Sequence, residues 1–162
     1  MKTIHLLWSG LALILLASCS SSNASTDLLN QEASLPASFD FNKLGLKVIT
    51  SSINNKKHTM STLYGNELAL KNAAEGRPKG LQPGEVMALI TWNQQEDDRW
   101  FGANIPGNLH SLELIKTVPI KDGKASINYQ RFDGDKLTLN LDTVHNQESI
   151  KYIFDQRPSV MP

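Results

Sequence analysis

The segment that most restricts the fold runs from Pro83-Gly84 through Glu85-Val86-Met87-Ala88-Leu89-Ile90-Thr91-Trp92. A Pro-Gly turn followed by a nearly unbroken apolar run of strand length predicts a β-strand. A strand that is apolar on both faces needs cover from two sides, so it belongs in the middle of a sheet. The chain then continues into Asn93-Gln94-Gln95-Glu96-Asp97-Asp98-Arg99-Trp100-Phe101-Gly102, a dense patch of amide, carboxylate and guanidinium groups ahead of a second tryptophan. Polar groups gathered at the end of a buried strand either lock a loop or contact a ligand.

The rest of the chain supplies neighbours for such a strand. Upstream, Lys47 to Ser52 reads as a strand, Asn54-Asn55-Lys56-Lys57 as a turn, and Thr59 to Tyr64 as a β-branched and aromatic second strand. Asn66 is a helix N-cap with Glu67 in the first turn, for a short helix closing near Gly76. Arg77 to Gly84 is a loop. Downstream, Pro106-Gly107 is expected to turn the chain, followed by strands over Leu112 to Ile120, Ala125 to Phe132 and Leu137 to Leu141. The Asp-Gly pairs at 122–123 and 133–134 signal the tight turns of an antiparallel meander. Leu137, Leu139 and Leu141 alternate with polar residues, which leaves one face wet. Ile150, Ile153, Phe154 and Arg157 at helical spacing predict an amphipathic helix over Asn146 to Arg157, stopped by Pro158. The expected fold class is α+β: a largely antiparallel sheet with helices packed mainly on one face.

Charge narrows the function. Sixteen basic and sixteen acidic residues cancel, so no basic face is available to displace counterions from nucleic-acid phosphates. Cysteine narrows it further, because Cys19 is the only one. Lys2 precedes a short apolar stretch from Ile4 to Leu16, which ends in Leu16-Ala17-Ser18-Cys19. The stretch is short for a membrane span and closes on small residues, the pattern of a cleaved secretory leader. Leu-Ala-Ser-Cys in that setting resembles the bacterial lipobox. The resemblance implies that residues 1–18 are a removed signal peptide, with diacylglycerol on the Cys19 sulfur and an acyl group such as palmitate on its new amine. Each buried methylene adds about 0.8 kcal/mol, so several chains make a durable anchor in the lipid bilayer. Ser20 rather than aspartate after the cysteine implies an outer-membrane lipoprotein facing the periplasm. Residues 19–38, rich in Ser and Asn, read as a tether, and residues 39–162 as the domain. Phe39, Phe41, Leu44 and Leu46 open it as a lead-in segment packed on the core.

Thr59-Met60-Ser61-Thr62-Leu63-Tyr64-Gly65-Asn66, the Pro83-Gly84-Glu85-Val86 strand start, the block from Trp92 to Gly102 and the closing Gln156-Arg157-Pro158-Ser159-Val160-Met161-Pro162 together resemble the cytochrome P460 family. The nearer likeness is to its branch of bacterial lipoproteins, and it covers roughly Phe39 to the C-terminus. The resemblance implies an antiparallel sheet with flanking helices. In the family it also implies a c-type haem on a Cys-x-x-Cys-His motif, a lysine cross-linked to that haem, and oxidation of small nitrogen compounds. This chain has no cysteine beyond Cys19, so the two thioether bonds to haem cannot form, and Val86 to Thr91 contains no lysine either.

Two functional readings remain open at this stage. In the first, the domain is a small-ligand-binding or envelope-associated module without a cofactor. Tyr64, Trp92, Glu96, Arg99, Trp100 and Phe101 are its candidate ligand-binding residues. Glu96 is placed as a general base only by analogy with the family's distal carboxylate. The plainer alternatives are that the aromatic residues anchor the core where sheet meets loop, and that the charged run is a solvated loop. In the second reading the domain is an oxidoreductase that holds haem non-covalently, with His58 as the axial ligand to test. No nucleophile–base pair, phosphate-cradling glycine loop or metal-binding helix stands out.

Overall fold

A computed structural model describes residues 29–77 and 80–159, and Cys19 with its leader lies outside them. Within the compact unit Gln31–Pro162, strands follow one another across a single antiparallel sheet. They are β1 (Lys47–Asn54), β2 (Thr59–Gly65), β3 (Val86–Glu96), β4 (Asn104–Pro119), β5 (Ala125–Asp133) and β6 (Thr138–Asn140). Helix α1 (Glu67–Glu75) joins β2 to β3, and α2 (Asn146–Asp155) follows β6. The architecture is α+β.

The double-sided apolar run does what its composition requires. Met87, Ala88, Leu89 and Ile90 are all buried, in the third of six strands. Met87 and Leu89 face the helices, in a cluster with Ile49, Leu63 and Ile115 from the sheet, Ala69 and Ala73 from α1, and Ile153 from α2. Both helices therefore cover the same face. Ala88 and Ile90 face the other way, with Leu109, Leu112 and Leu114, under Leu35, Phe39, Phe41 and Leu46 of the lead-in segment. Full burial of such a side chain contributes about 1.5–3 kcal/mol, and the four lead-in side chains, each partly buried, together gain enough of it to hold the lead-in down although it has no regular structure beyond a short 3-10 turn at Phe41–Leu44.

Asn66 makes the step from β2 into α1 sharp. Its Oδ1 accepts Ala69 N at 3.0 Å, and its Nδ2 donates to the Gly84 carbonyl at 2.8 Å, so one side chain caps the helix and ties it to the start of β3. Gly65 before it is obligatory on space: a Cβ there would stand 2.6 Å from Ile49 Cδ1 and 2.9 Å from Ala69 Cβ. The other end of α1 is closed by Arg157, whose Nη1 donates to the Ala73 carbonyl. Beyond α2, Ser159 N donates to the Ile49 carbonyl and its hydroxyl meets Thr50 Oγ1 at 2.8 Å, so the closing Arg-Pro-Ser segment runs along β1.

One expectation is corrected. Pro106-Gly107 does not turn the chain but lies inside β4, where Gln94 pairs with Pro106 and Trp92 with Leu109. The extra residues bulge the strand. A bulge tolerates proline's missing donor, and it needs a residue without a side chain where Gln95 Oε1 would come within 2.8 Å of a Cβ. The reversal occurs earlier, at Asp97–Ala103, so the β3–β4 hairpin is longer than the apolar run suggests.

Candidate functional site

Along the helix-covered face, β2, β3 and β4 each change from apolar to polar, β4 one pair earlier than its neighbours, since Glu113 lies opposite Leu89. Leu63 gives way to Ser61 and Thr59, Leu89 to Thr91, and Ile115 to Glu113 and Ser111. The apolar half lies under the helices. The polar half forms the floor of an open cleft of about 610 Å³, walled by the first turns of α2 and the β1–β2 end of the sheet. From α2 come His145, Glu148, Ser149 and Tyr152, and the Tyr152 hydroxyl lies 3.4 Å from Ser52 Oγ on β1.

A bulge adds His110 to this cleft. Thr91 pairs with Ser111 but Trp92 pairs with Leu109, so His110 is the extra residue. Leu109 packs into the opposite face while Ser111 and His110 both line the cleft. The bulge is held from the β5–β6 turn, where Asp135 Oδ1 accepts Leu109 N at 2.8 Å and Gly134 N donates to the His110 carbonyl. Re-aiming a side chain beside a cleft is a common use of such a bulge.

The charged centre is Glu113, only 5% exposed, with Arg131 opposite it on β5. Glu113 accepts the Tyr129 hydroxyl at 2.7 Å, and its other oxygen is 3.7 Å from Arg131 Nη1, an ion pair rather than a hydrogen bond. Arg131 is aimed by its Nε, which donates to Asp133 Oδ1 at 2.8 Å, while Asn140 Nδ2 holds Asp133 Oδ2 at 2.6 Å. Burial pushes the Tyr129 phenol up, and the Glu113 bond adds to this, to about 12. Burial alone would raise Asp133, but the Arg131 and Asn140 bonds outweigh it and hold the carboxyl below its ordinary value. Burial would lower Arg131, but Asp133 and Glu113 outweigh it and keep the guanidinium firmly charged. Among the described residues neither Nη of Arg131 has a hydrogen bond, and Arg131 and Glu113 both line the cleft. The floor thus offers fixed donors, a carboxylate and several hydroxyls to a small polar molecule.

The candidate residues from the sequence are not brought around one cavity. Tyr64 and Trp92 pack on the opposite face, with Phe41 edge-on to Tyr64 at 4.8 Å and Trp92 Nε1 donating to the Ala33 carbonyl at 2.9 Å. Burial raises the Tyr64 phenol, with a Thr62 hydrogen bond pulling the other way. Glu96, Arg99, Trp100 and Phe101 are exposed at the far end of the β3–β4 hairpin. Core anchoring therefore holds for Trp92 and fails for Trp100 and Phe101, because β3 and β4 stay paired past the edge of the core. His58 is exposed in the β1–β2 turn at φ 51° and is not among the cleft residues. The residues that do line the cleft, Glu113 and Arg131 above all, carried no signal in the linear pattern.

A porphyrin needs broad apolar walls, and beside the imidazoles of His110 and His145 this lining offers one aliphatic side chain, Leu89, and one phenol ring, Tyr152, among hydroxyl and charged groups. The cleft residues do not fit haem. Among the described residues, no group of three or more His, Cys, Asp or Glu could hold a metal ion, and no helix is long and apolar enough to cross a membrane. No protein-family model matches the chain, and no curated protein matches it at a significant level.

Proposed function

We propose that this chain is a lipid-anchored bacterial envelope protein whose cytochrome P460-like domain lacks covalent haem and binds a small polar ligand in the sheet-floor cleft. The observation that carries the reading is the Glu113–Arg131 pair at the bottom of an open cleft, a buried carboxylate beside a half-buried guanidinium whose Nη groups face the cleft without a hydrogen bond among the described residues. Hydrogen bonds to charged groups are the stronger kind, and a guanidinium with open Nη donors beside a fixed carboxylate gives a small polar ligand such bonds to make. The leader pattern ending at Cys19 supports attachment to the outer membrane on the periplasmic side.

Two measurements test this. A ligand-observed NMR screen of small polar compounds against the purified protein is expected to give binders that Arg131→Met weakens at least about tenfold, the loss of roughly 1.4 kcal/mol for one charge-assisted bond. Binders unaffected by that change, or none across carboxylates, amides, amines and sugars, would remove the cleft from consideration. For the anchor, Cys19→Ser is expected to abolish acylation and release the protein. Retained lipid labelling in that variant contradicts it.

A further inference from the structure

The β3–β4 hairpin ends in a turn that is fixed from within. Asp97 N donates to the Ala103 carbonyl and Ala103 N to the Trp100 carbonyl, both at 3.0 Å, while Asp97 Oδ1 accepts Arg99 N at 2.8 Å. On this turn Trp100 is 72% exposed and Phe101 fully exposed. An indole and a phenyl ring on adjacent exposed residues are apolar surface that the domain itself does not cover.

Where the turn points is set by the sheet register. Thr59 at the start of β2 pairs with Asn93, and the His58 carbonyl accepts Gln94 N, so β3 runs on to Glu96, about 10 Å beyond the level of Thr59 at ordinary strand rise. The lead-in reaches the same end, because Trp92 Nε1 holds the Ala33 carbonyl. Gln31, the first residue of the compact unit, stands twelve positions after Cys19. Twelve residues span at most about 40 Å, which exceeds the advance of the hairpin beyond Trp92. A lipid on Cys19 therefore tethers the domain near its aromatic end, on a leash long enough for the tip to lie on the bilayer.

We infer that the Trp100–Phe101 tip is a second membrane contact, seated at the headgroup–acyl boundary of the bilayer that holds Cys19, and that it fixes the orientation of the domain. The inference rests on the lipid-anchor reading. Tryptophan and phenylalanine favour that boundary. Glu96, Asp97 and Asp98 against Arg99 leave the tip net negative, which selects a zwitterionic surface over an anionic one. The tip need not bind alone. The anchor supplies a high local concentration, so a weak apolar contact suffices to choose one orientation.

Without its leader the chain holds two tryptophans, Trp92 and Trp100, which makes the test direct. The acylated protein is placed in vesicles of phosphatidylethanolamine and phosphatidylcholine brominated high on the acyl chain. In Trp92→Phe, Trp100 emission is expected to fall about twofold relative to unbrominated vesicles, as for an interfacial indole. In Trp100→Phe, which leaves the half-buried Trp92 undisturbed, bromolipid is expected to change nothing. Should Trp92→Phe not fold, the loss of quenching from the native chain to Trp100→Phe gives the same answer. Protein that floats with the vesicles while iodide in the water quenches Trp100 fully overturns the tip contact and leaves the anchor standing. Protein that does not float overturns both. A Trp100 shielded from iodide and bromolipid alike means that another protein chain covers the tip, and this also overturns the inference.

Discussion

Among the described residues, the Arg77–Glu85 and Arg131–Glu113 pairs are built differently. At the start of β3, Glu85 accepts Asn72 Nδ2 at 2.9 Å and pairs with Arg77, and its backbone N–H goes to Thr117 Oγ1 at 2.8 Å. Arg77 in turn donates its Nε to the Phe154 carbonyl, approaches Met87 Sδ with Nη2, and lies 4.4 Å over the Phe154 ring. This pair is saturated and draws α1, the 77–84 loop, β4 and α2 onto one point. The Glu113–Arg131 pair has its ends 3.7 Å apart, its arginine aimed by Asp133, and a cleft above it. A closed pair is a structural lock, whereas an open one at similar depth has bonding capacity left for something else.

The contrast breaks if the two pairs respond alike to mutation. Glu85→Ala strands a largely buried guanidinium and is expected to cost about 3–5 kcal/mol, a large part of the stability of an ordinary domain. Urea unfolding measures it, and a loss below about 1 kcal/mol, the value of an exposed pair, would refute the lock. Arg131→Met is expected to cost only about 1–2 kcal/mol, because Tyr129 still satisfies Glu113, while it weakens ligand binding. An Arg131 variant as damaged as the Glu85 variant would make the cleft pair structural as well.

That difference between the pairs was invisible in the linear sequence. Strands, helices and the two-sided cover of β3 were legible because each has a local signature: alternation in 125–141, the Asn66 cap, the unbroken run 86–90. The cleft has none. It exists because Ser61, Thr91 and Ser111 fall beside one another, with Glu113 two residues further along β4, once three strands take their register, and register is a long-range property. The Trp100–Phe101 pair misled for the same reason. Two aromatics after a buried strand suggest core, but the β3–β4 pairing carries them past it. Glu85 read as no more than the start of a strand, since its partners come from α1, a loop and β4.

A smaller effect sharpens the comparison by pH. Tyr129 titrates at about 12 in the folded chain against an ordinary 10.0, so folding favours its protonated form. Its contribution is complete below pH 10 and is lost as pH rises through about 12. The native chain is therefore expected to lose urea resistance across that window, and Tyr129→Phe is expected to lose less across it from a lower starting point. Equal alkaline slopes in both chains would show that the Tyr129–Glu113 bond does not couple to folding.

The smallest expected effect belongs to His58. It is exposed, outside the cleft, and its carbonyl rather than its imidazole is used, accepting Gln94 N at 2.8 Å. His58→Ala keeps that carbonyl and is expected to cost no more than about 1 kcal/mol, the surface value plus the strain of alanine at φ 51°. If haemin is added, the variant and the native chain should give the same absorbance spectrum, because the cleft lining is too polar for a porphyrin face and His58 does not reach it. A Soret band that forms in the native chain and disappears in His58→Ala would place the iron at the β1–β2 turn. It would also show that Arg131 and Glu113, for all their open bonding capacity, are not where this domain takes its ligand.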